Sequence, residues 1–471
     1  MKEIKETRAN KLINNTIIFA IGNFATKFIS FFLVPLYTNY LTTTEYGTID
    51  FIYTICTIAI PIITLNIFEA IMRFSLDKDA NIKKIISIGN TVIIATIILG
   101  LLIIPVLNFT KFADYSLLCY LYLITTAVSQ IYLTVLKGQK KLKSYTAGNV
   151  VNTLLIAILN ILFLVKYDLG INGYFLAYII SNGIIIVYAF VVGKLWQYLT
   201  KYEFDKKLFK DMTKYSVILI PNSFMWWIIN SVDRIMITSY ISTSANGIYA
   251  ISYKIPTMLT TIMSVFTQAW LFSAIEEDES EDKKEYTNKV FELLFVIITT
   301  MSIILIAISK QFLKIYVAPE FYTAWKYMPY LLVGFVFLTM STFISTSYNV
   351  NKDSKGFLKS GMLGAFCNIV LNAILIPLIG VSGAALATMI SYIAIFIYRL
   401  IDTKKYVQID IMKMKYFIMI ILLITSATLI FIETPLIIAV QIIIILICII
   451  INKNIWEIIL KVGFNKMLRK K

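Results

Sequence analysis

The chain has 471 residues, of which 59% are hydrophobic and 15% charged, and it carries a formal net charge of +16. Too little polar surface is present to clothe a soluble body of this size, so the bilayer must be its solvent. The Lys and Arg residues sit in short segments between apolar spans rather than in a stripe with aromatics, which argues against nucleic acid as a partner, and the absence of histidine removes the commonest general base and metal ligand.

Residues 1–11 are a basic segment, expected as a cytoplasmic N-terminus. They give way to an apolar run in which Lys27 is the single charge. This run has no small-residue cleavage site and exceeds the length of a signal-peptide core, so it is expected to remain as the first transmembrane helix. Apolar runs of about 20 residues, enough to cross about 30 Å at 1.5 Å per residue, begin near Leu12, Thr48, Ile85, Tyr115, Tyr145, Ile171, Tyr215, Gly247, Val290, Tyr322, Phe357, Ser382, Tyr416 and Thr434. The break before the last rests on Glu433 and Pro435. The fold class is therefore an all-α polytopic membrane protein of about 14 helices. Six form an N-lobe over 12–196 and six a C-lobe over 215–401, joined by a cytoplasmic linker over 197–214. Two further helices cover 416–452, and 453–471 form a basic cytoplasmic tail.

The distribution of positive charge orients these spans. With the N-terminus inside, the inner segments hold 35 of the 43 basic residues, with Arg399 counted among them, and the outer loops only Lys111, Lys166, Lys310, Lys314 and Lys326. Both termini are expected in the cytoplasm of a bacterial inner membrane. No loop is long enough to hold a soluble domain. The acidic run from Glu276 to Asp282 reads as a solvated loop, with no Gly-centred calcium turn. Cys56, Cys119, Cys367 and Cys448 are dispersed through apolar stretches and read as packing thiols. No cofactor is implied, and no G-x-x-x-x-G-K-[ST] loop supplies nucleotide energy.

Two internal matches suggest a duplication. Leu41-Thr-Thr-Thr-Glu-Tyr-Gly47 with Tyr53 parallels Ile241-Ser-Thr-Ser-Ala-Asn-Gly247 with Tyr253, and Gly170-Ile-Asn-Gly173 with Ser181 parallels Gly380-Val-Ser-Gly383 with Ser391. Six helices separate equivalent points, so both copies run in the same direction across the membrane. The paired glycines read as tight outer turns followed by close helix packing. Pro61, Pro221 and Pro256 fall within expected helices and suggest kinks.

Charges inside the spans are the sharper functional signal, because each costs about 2.5 to 3.5 kcal/mol on insertion scales and needs a cavity or a partner. Lys27 lies near the middle of the first span, Asp233 and Arg234 in the outer part of the seventh, and Lys254 at a matching depth in the eighth. Glu69 and Arg73, one turn apart near the inner end of the second, are expected to pair. Asp233 as counter-ion to Arg234 or Lys254 still leaves an excess of positive charge, which suits a phosphate or pyrophosphate headgroup. A single acidic residue also argues against an ion-binding cluster.

With its helix count, the motif Leu41–Gly47, Asp233-Arg234, Gly247-Ile-Tyr249 and Gly380-Val-Ser-Gly383-Ala-Ala, the chain resembles the polysaccharide flippase branch of the multidrug/oligosaccharidyl-lipid/polysaccharide exporter superfamily. It is similar to Wzx-type O-antigen or capsule repeat-unit flippases from about Asn14 to Arg399. The resemblance implies two lobes in a V around a central cavity that opens to each membrane face in turn. It implies an undecaprenyl-pyrophosphate-linked oligosaccharide as substrate, membrane lipid and the polysaccharide polymerase machinery as candidate partners, and no catalysis. It also maps the cationic cavity residues onto Lys27, Arg234 and Lys254, with Arg73 as a weaker match. Three alternatives compete with it. A multidrug antiporter of the same superfamily would want acidic cavity residues. A polyprenyl-glycan polymerase or ligase would want a large outer loop, and a peptidoglycan-precursor flippase would differ only in headgroup.

Overall fold

The computed structural model describes residues 8–457 except 78, 201, 279 and 435, and no side chain of 8–21 is described. Residues 1–7 of the expected cytoplasmic N-terminus, 458–471 of the basic tail and the boundary residue Pro435 therefore lie outside the described residues. Every described element is helical. The first unit, Met1–Trp227, and the second, Ile228–Lys471, are each compact. In chain order the helices are α1 (Arg8–Tyr40), α2 (Thr43–Ile63), α3 (Ile67–Phe74), α4 (Ile82–Gly100), α5 (Ile103–Asn108), α6 (Ser116–Gly138), α7 (Leu142–Asn160), α8 (Gly170–Val192) and α9 (Trp196–Leu199). They continue as α10 (Lys206–Tyr240), α11 (Thr243–Ser252), α12 (Lys254–Glu276), α13 (Lys283–Tyr316), α14 (Met328–Val350), α15 (Ser354–Ile379), α16 (Val381–Asp402), α17 (Met414–Leu429) and α18 (Leu436–Ile451).

Among the described residues, 9 helical segments are long and apolar enough to cross a membrane, and α17 and α18 are shorter apolar helices. Helices α1, α10 and the α11–α12 pair stand where the first, seventh and eighth spans were expected. The chain is thus an all-α, multi-pass membrane protein with the fourteen expected segments in place.

The repeated motifs set the corners. Thr42 caps α2: its backbone N–H donates to Glu45 Oε2 at 2.9 Å, and its hydroxyl accepts from Glu45 N at 3.2 Å. Ser242 caps α11 with the side-chain bond alone, accepting from Ala245 N at 3.0 Å. Such caps satisfy helix N–H groups that have no intrahelical acceptor. Gly170 and Gly380 both take positive φ, +50° and +66°, which only glycine adopts freely. At Gly383 a Cβ would lie 2.2 Å from the Leu375 carbonyl oxygen, so only glycine permits this approach of α16 to α15. The equivalence of these corners in the two units agrees with a duplicated chain.

The three prolines act differently. The second span stops rather than bends: after Pro61, Leu65 and Asn66 adopt φ of 52° and 53°, and α3 begins anew. The Pro61 carbonyl is then satisfied by Asn66 N at 2.8 Å. Pro221 remains inside an unbroken α10. Pro256 lies in the first turn of α12, where its missing N–H costs nothing, and the break falls just before it at Tyr253.

In the first unit Ile67, Ile71, Ile88, Val92, Ile131 and Val135 form the core that packs α3, α4 and α6 together. Cys56 of α2 and Cys119 of α6, far apart in sequence, bring their Sγ atoms within 3.4 Å. In the second unit α14 is central. Trp270 stacks on Phe343 at 4.8 Å and donates its indole N–H to the Thr346 hydroxyl at 3.0 Å. Arg399, expected among loop cations, is instead fully buried in the last turn of α16. Its Nε donates to Ser360 Oγ at 3.0 Å and its Nη1 to the Ser341 carbonyl at 3.1 Å, while the guanidinium lies 5.1 Å from the Phe357 ring centre. A hydropathy count places a charge along a span but not around its circumference, which is why this one was misassigned.

At the start of α15, Asp353 accepts from Gly356 N at 2.9 Å, from the Tyr406 hydroxyl at 2.9 Å and from Lys405 Nζ at 3.1 Å. These donors hold its carboxyl down at about 2. A carboxyl depressed in the folded state stabilises the fold fully above its unfolded value near 4, and that contribution is lost as pH falls toward 2. Wild-type protein in detergent should therefore lose more thermal stability than Asp353→Asn between pH 5 and pH 2.5. Parallel melting curves would remove Asp353 from the account.

Candidate functional site

The charged residues singled out above fall into three places. Lys27 lies on an exposed stretch of α1, beside the aromatic ladder Phe24, Phe28 and Phe32, whose ring centres follow at 5.9 and 4.7 Å. Arg234 and Lys254 belong to the second unit and are half-buried. The Arg234 guanidinium carbon lies 5.2 Å from the Tyr253 ring centre, and Lys254 is the next residue along the chain. A guanidinium over an aromatic face is held electrostatically by the ring quadrupole. The break between α11 and α12 therefore sets Tyr253 beneath the Arg234 guanidinium, with Lys254 following it in the chain.

Asp233 is not simply a salt-bridge partner. It is fully buried, and its Oδ2 accepts from the Tyr249 hydroxyl at 2.7 Å and the Tyr253 hydroxyl at 3.0 Å. Its Oδ1 accepts from Arg234 N at 2.9 Å. The Thr388 hydroxyl stands 3.5 Å from Oδ2, and beyond it Asn368 and Asn372 continue the chain, with Asn372 Nδ2 donating to Asn368 Oδ1 at 3.0 Å. The carboxylate thus joins α10, α11 and α16, with α15 behind. Sequence reading missed these neutral partners. A tyrosine pair one turn apart, Tyr249 and Tyr253, was the available signal, since buried hydroxyls need acceptors.

Glu69 and Arg73 are not brought together as expected. Arg73 pairs with Asp77, one turn onward, where both side chains are well exposed. Glu69 instead lines a cavity of about 400 Å³ in the first unit, formed by α3, α6, α7 and α8, with Gln130, Lys137, Asn149, Asn152 and Asn182. Among the described residues no group of three or more His, Cys, Asp or Glu side chains is placed to hold a metal.

Residues 12–275 match the family described as polysaccharide biosynthesis protein. An uncharacterized membrane protein of Methanocaldococcus jannaschii is 24% identical over 60% of this chain and 57% of its own length. A probable low-salt glycan biosynthesis flippase of Haloferax volcanii, Agl15, is 23% identical over 65% of this chain and 66% of its own. The chain thus spans less than two thirds of the length of these relatives. Among solved structures, the lipid II flippase MurJ in an inward closed conformation superposes with a TM-score of 0.66 at 15% identity, over 95% of this chain and 99% of that one.

Proposed function

Because the chain belongs to the polysaccharide biosynthesis protein family, on the flippase branch of the multidrug/oligosaccharidyl-lipid/polysaccharide exporter superfamily, we propose that it moves lipid-linked glycans across the cytoplasmic membrane. The substrate is an undecaprenyl-pyrophosphate-linked oligosaccharide repeat unit for a surface polysaccharide, carried by alternating access without catalysis, with both termini cytoplasmic. The observation that carries this reading is the Arg234 guanidinium held over the Tyr253 ring, with Lys254 the next residue along the chain. Cations set at membrane depth are costly unless they meet an anion, and a guanidinium matches phosphate oxygens with paired N–H donors. The fold, shared with MurJ at low identity, and the description of Agl15 as a glycan flippase support the same reading.

Energy need not come from nucleotide. A pyrophosphate linkage carries about two negative charges, and moving both outward across an inside-negative membrane gains on the order of 4 to 5 kcal/mol at 100 mV. A second reading rests on Asp233, a fully buried carboxylate whose charge a coupled proton would remove. Proteoliposomes with a fluorescent lipid-linked sugar and an imposed potassium-diffusion potential separate the two. Transport should accelerate when the side from which the lipid leaves is negative and slow when the sign is reversed. A rate indifferent to that sign, yet dependent on a proton or sodium gradient, would transfer the coupling to Asp233.

A further inference from the structure

We propose that the polar cavity of the first unit is a carbohydrate site that takes the sugar rings of the transported glycan, a reading that rests on the flippase assignment above. The cavity's floor is a preformed chain of neutral donors and acceptors. Asn152 Nδ2 donates to Asn182 Oδ1 at 3.1 Å, Asn182 Nδ2 donates to Thr126 Oγ1 at 3.0 Å, and Ser181 Oγ donates to the Asn152 carbonyl at 3.0 Å. Asn182 is only 4% exposed, so its amide is fixed by these partners. Thr126 and Lys137 both line the cavity from α6, so at 1.5 Å per residue it runs roughly 16 Å along the helix. Its volume of about 400 Å³ lies in the range of small-molecule sites.

Polar side chains in apolar helices are expensive to leave dry, so a void of this composition holds water or a polar ligand. The kind of polarity selects the ligand. A phosphate only accepts hydrogen bonds and calls for several cations, whereas this lining offers one cation, Lys137, and one anion, Glu69. Lys137 Nζ is moreover held 5.6 Å from the Tyr145 ring centre. A lipophilic cation would call for net negative charge, which is equally missing. Side-chain amides and hydroxyls both donate and accept, and so does a sugar hydroxyl. Gln130 and Asn149 on the wall, with Asn152, Asn182 and Thr126 on the floor, match a ring of hydroxyls. A site built to bond hydroxyls also rejects analogues that lack them, because its own polar groups are then left unpaired. The pyrophosphate and the sugar are accordingly read by different chemistries: cations for the former, neutral amides for the latter.

The test uses the full chain in proteoliposomes and two probes: a fluorescent polyprenyl pyrophosphate bearing a di-N-acetylchitobiose unit, and the same lipid without sugar. Gln130→Leu and Asn149→Leu change the wall at similar volume, and Asn182→Leu changes the floor. Each wall variant should slow the sugar-bearing lipid about tenfold, the loss of roughly one good hydrogen bond in the transport step. The sugar-free lipid should keep its wild-type rate to within about twofold. Equal slowing of both lipids, or slowing of neither in the two wall variants, overturns the carbohydrate site. Wild-type protein that moves neither lipid overturns the flippase assignment instead, so the two failures are distinguishable. Asn182→Leu serves to confirm the floor, and its unfolding would leave the wall variants to decide.

Discussion

Replacing Lys27, Arg234 or Lys254 by Ala should abolish surface-polysaccharide production in a strain that depends on this chain, with the protein still inserted at normal level. A hydrogen bond to a charged group contributes about 1.5 to 3 kcal/mol, so losing one weakens headgroup binding roughly tenfold to a hundredfold. Arg234→Lys should fall between wild type and Arg234→Ala, because an ammonium keeps the charge but loses the planar pair of donors and the fit over the Tyr253 ring. Membrane-fraction immunoblots normalise for protein level, and polysaccharide is read by gel or by lectin binding. Normal polysaccharide in all three Ala variants would reduce these cations to structural pairs and remove the observation on which the proposed function stands.

What the sequence disclosed follows from what one-dimensional patterns encode. Apolar runs of membrane length mark roughly where the chain crosses the bilayer, and a described helix covers most of each of the fourteen expected runs, although the exact ends differ by several residues and the eighth run is broken at Tyr253. Gly170 and Gly380 were legible for the same reason: a turn that needs positive φ asks for glycine whatever surrounds it. Which side chains meet across helices was not legible, because each residue turns the helix face by about 100° and a neighbour's azimuth is set by packing. Cys56 and Cys119 looked unrelated yet touch, and Arg399 looked like a loop cation yet is enclosed by Ser341, Phe357 and Ser360. Glu69 and Arg73 had the right spacing for a pair, but Arg73 reaches the exposed Asp77 at the end of its helix while Glu69 is turned to the cavity. Local spacing permits a contact, and the surroundings decide it.

The same lesson sets the expectation for Asp233, where the larger structural effect should appear. Asp233→Ala takes from the hydroxyls of Tyr249 and Tyr253, 0% and 3% exposed, their short carboxylate bonds and leaves only the 3.4 Å contacts of Tyr249 to Tyr253 and of Tyr253 to Thr388. A buried polar group deprived of its partner costs about 1 to 3 kcal/mol, so the two together should destabilise the second unit by roughly 2 to 6 kcal/mol. Asp233→Asn should cost less: its Oδ1 can still accept from both tyrosines, but its NH₂ then faces the Arg234 backbone N–H, which has donated to a carboxylate oxygen. Adding Tyr249→Phe and Tyr253→Phe to Asp233→Ala should recover much of the loss, since removing both sides of a hydrogen bond leaves nothing unsatisfied. Thermal unfolding of purified protein in detergent measures all four. Had Asp233 served only as counter-ion to Arg234, the tyrosine changes would give no recovery, because the charge would remain uncompensated. Failure of the combined variant to regain stability over Asp233→Ala would therefore return Asp233 to the role of an ion-pair partner, and with it the two hydroxyls to incidental neighbours.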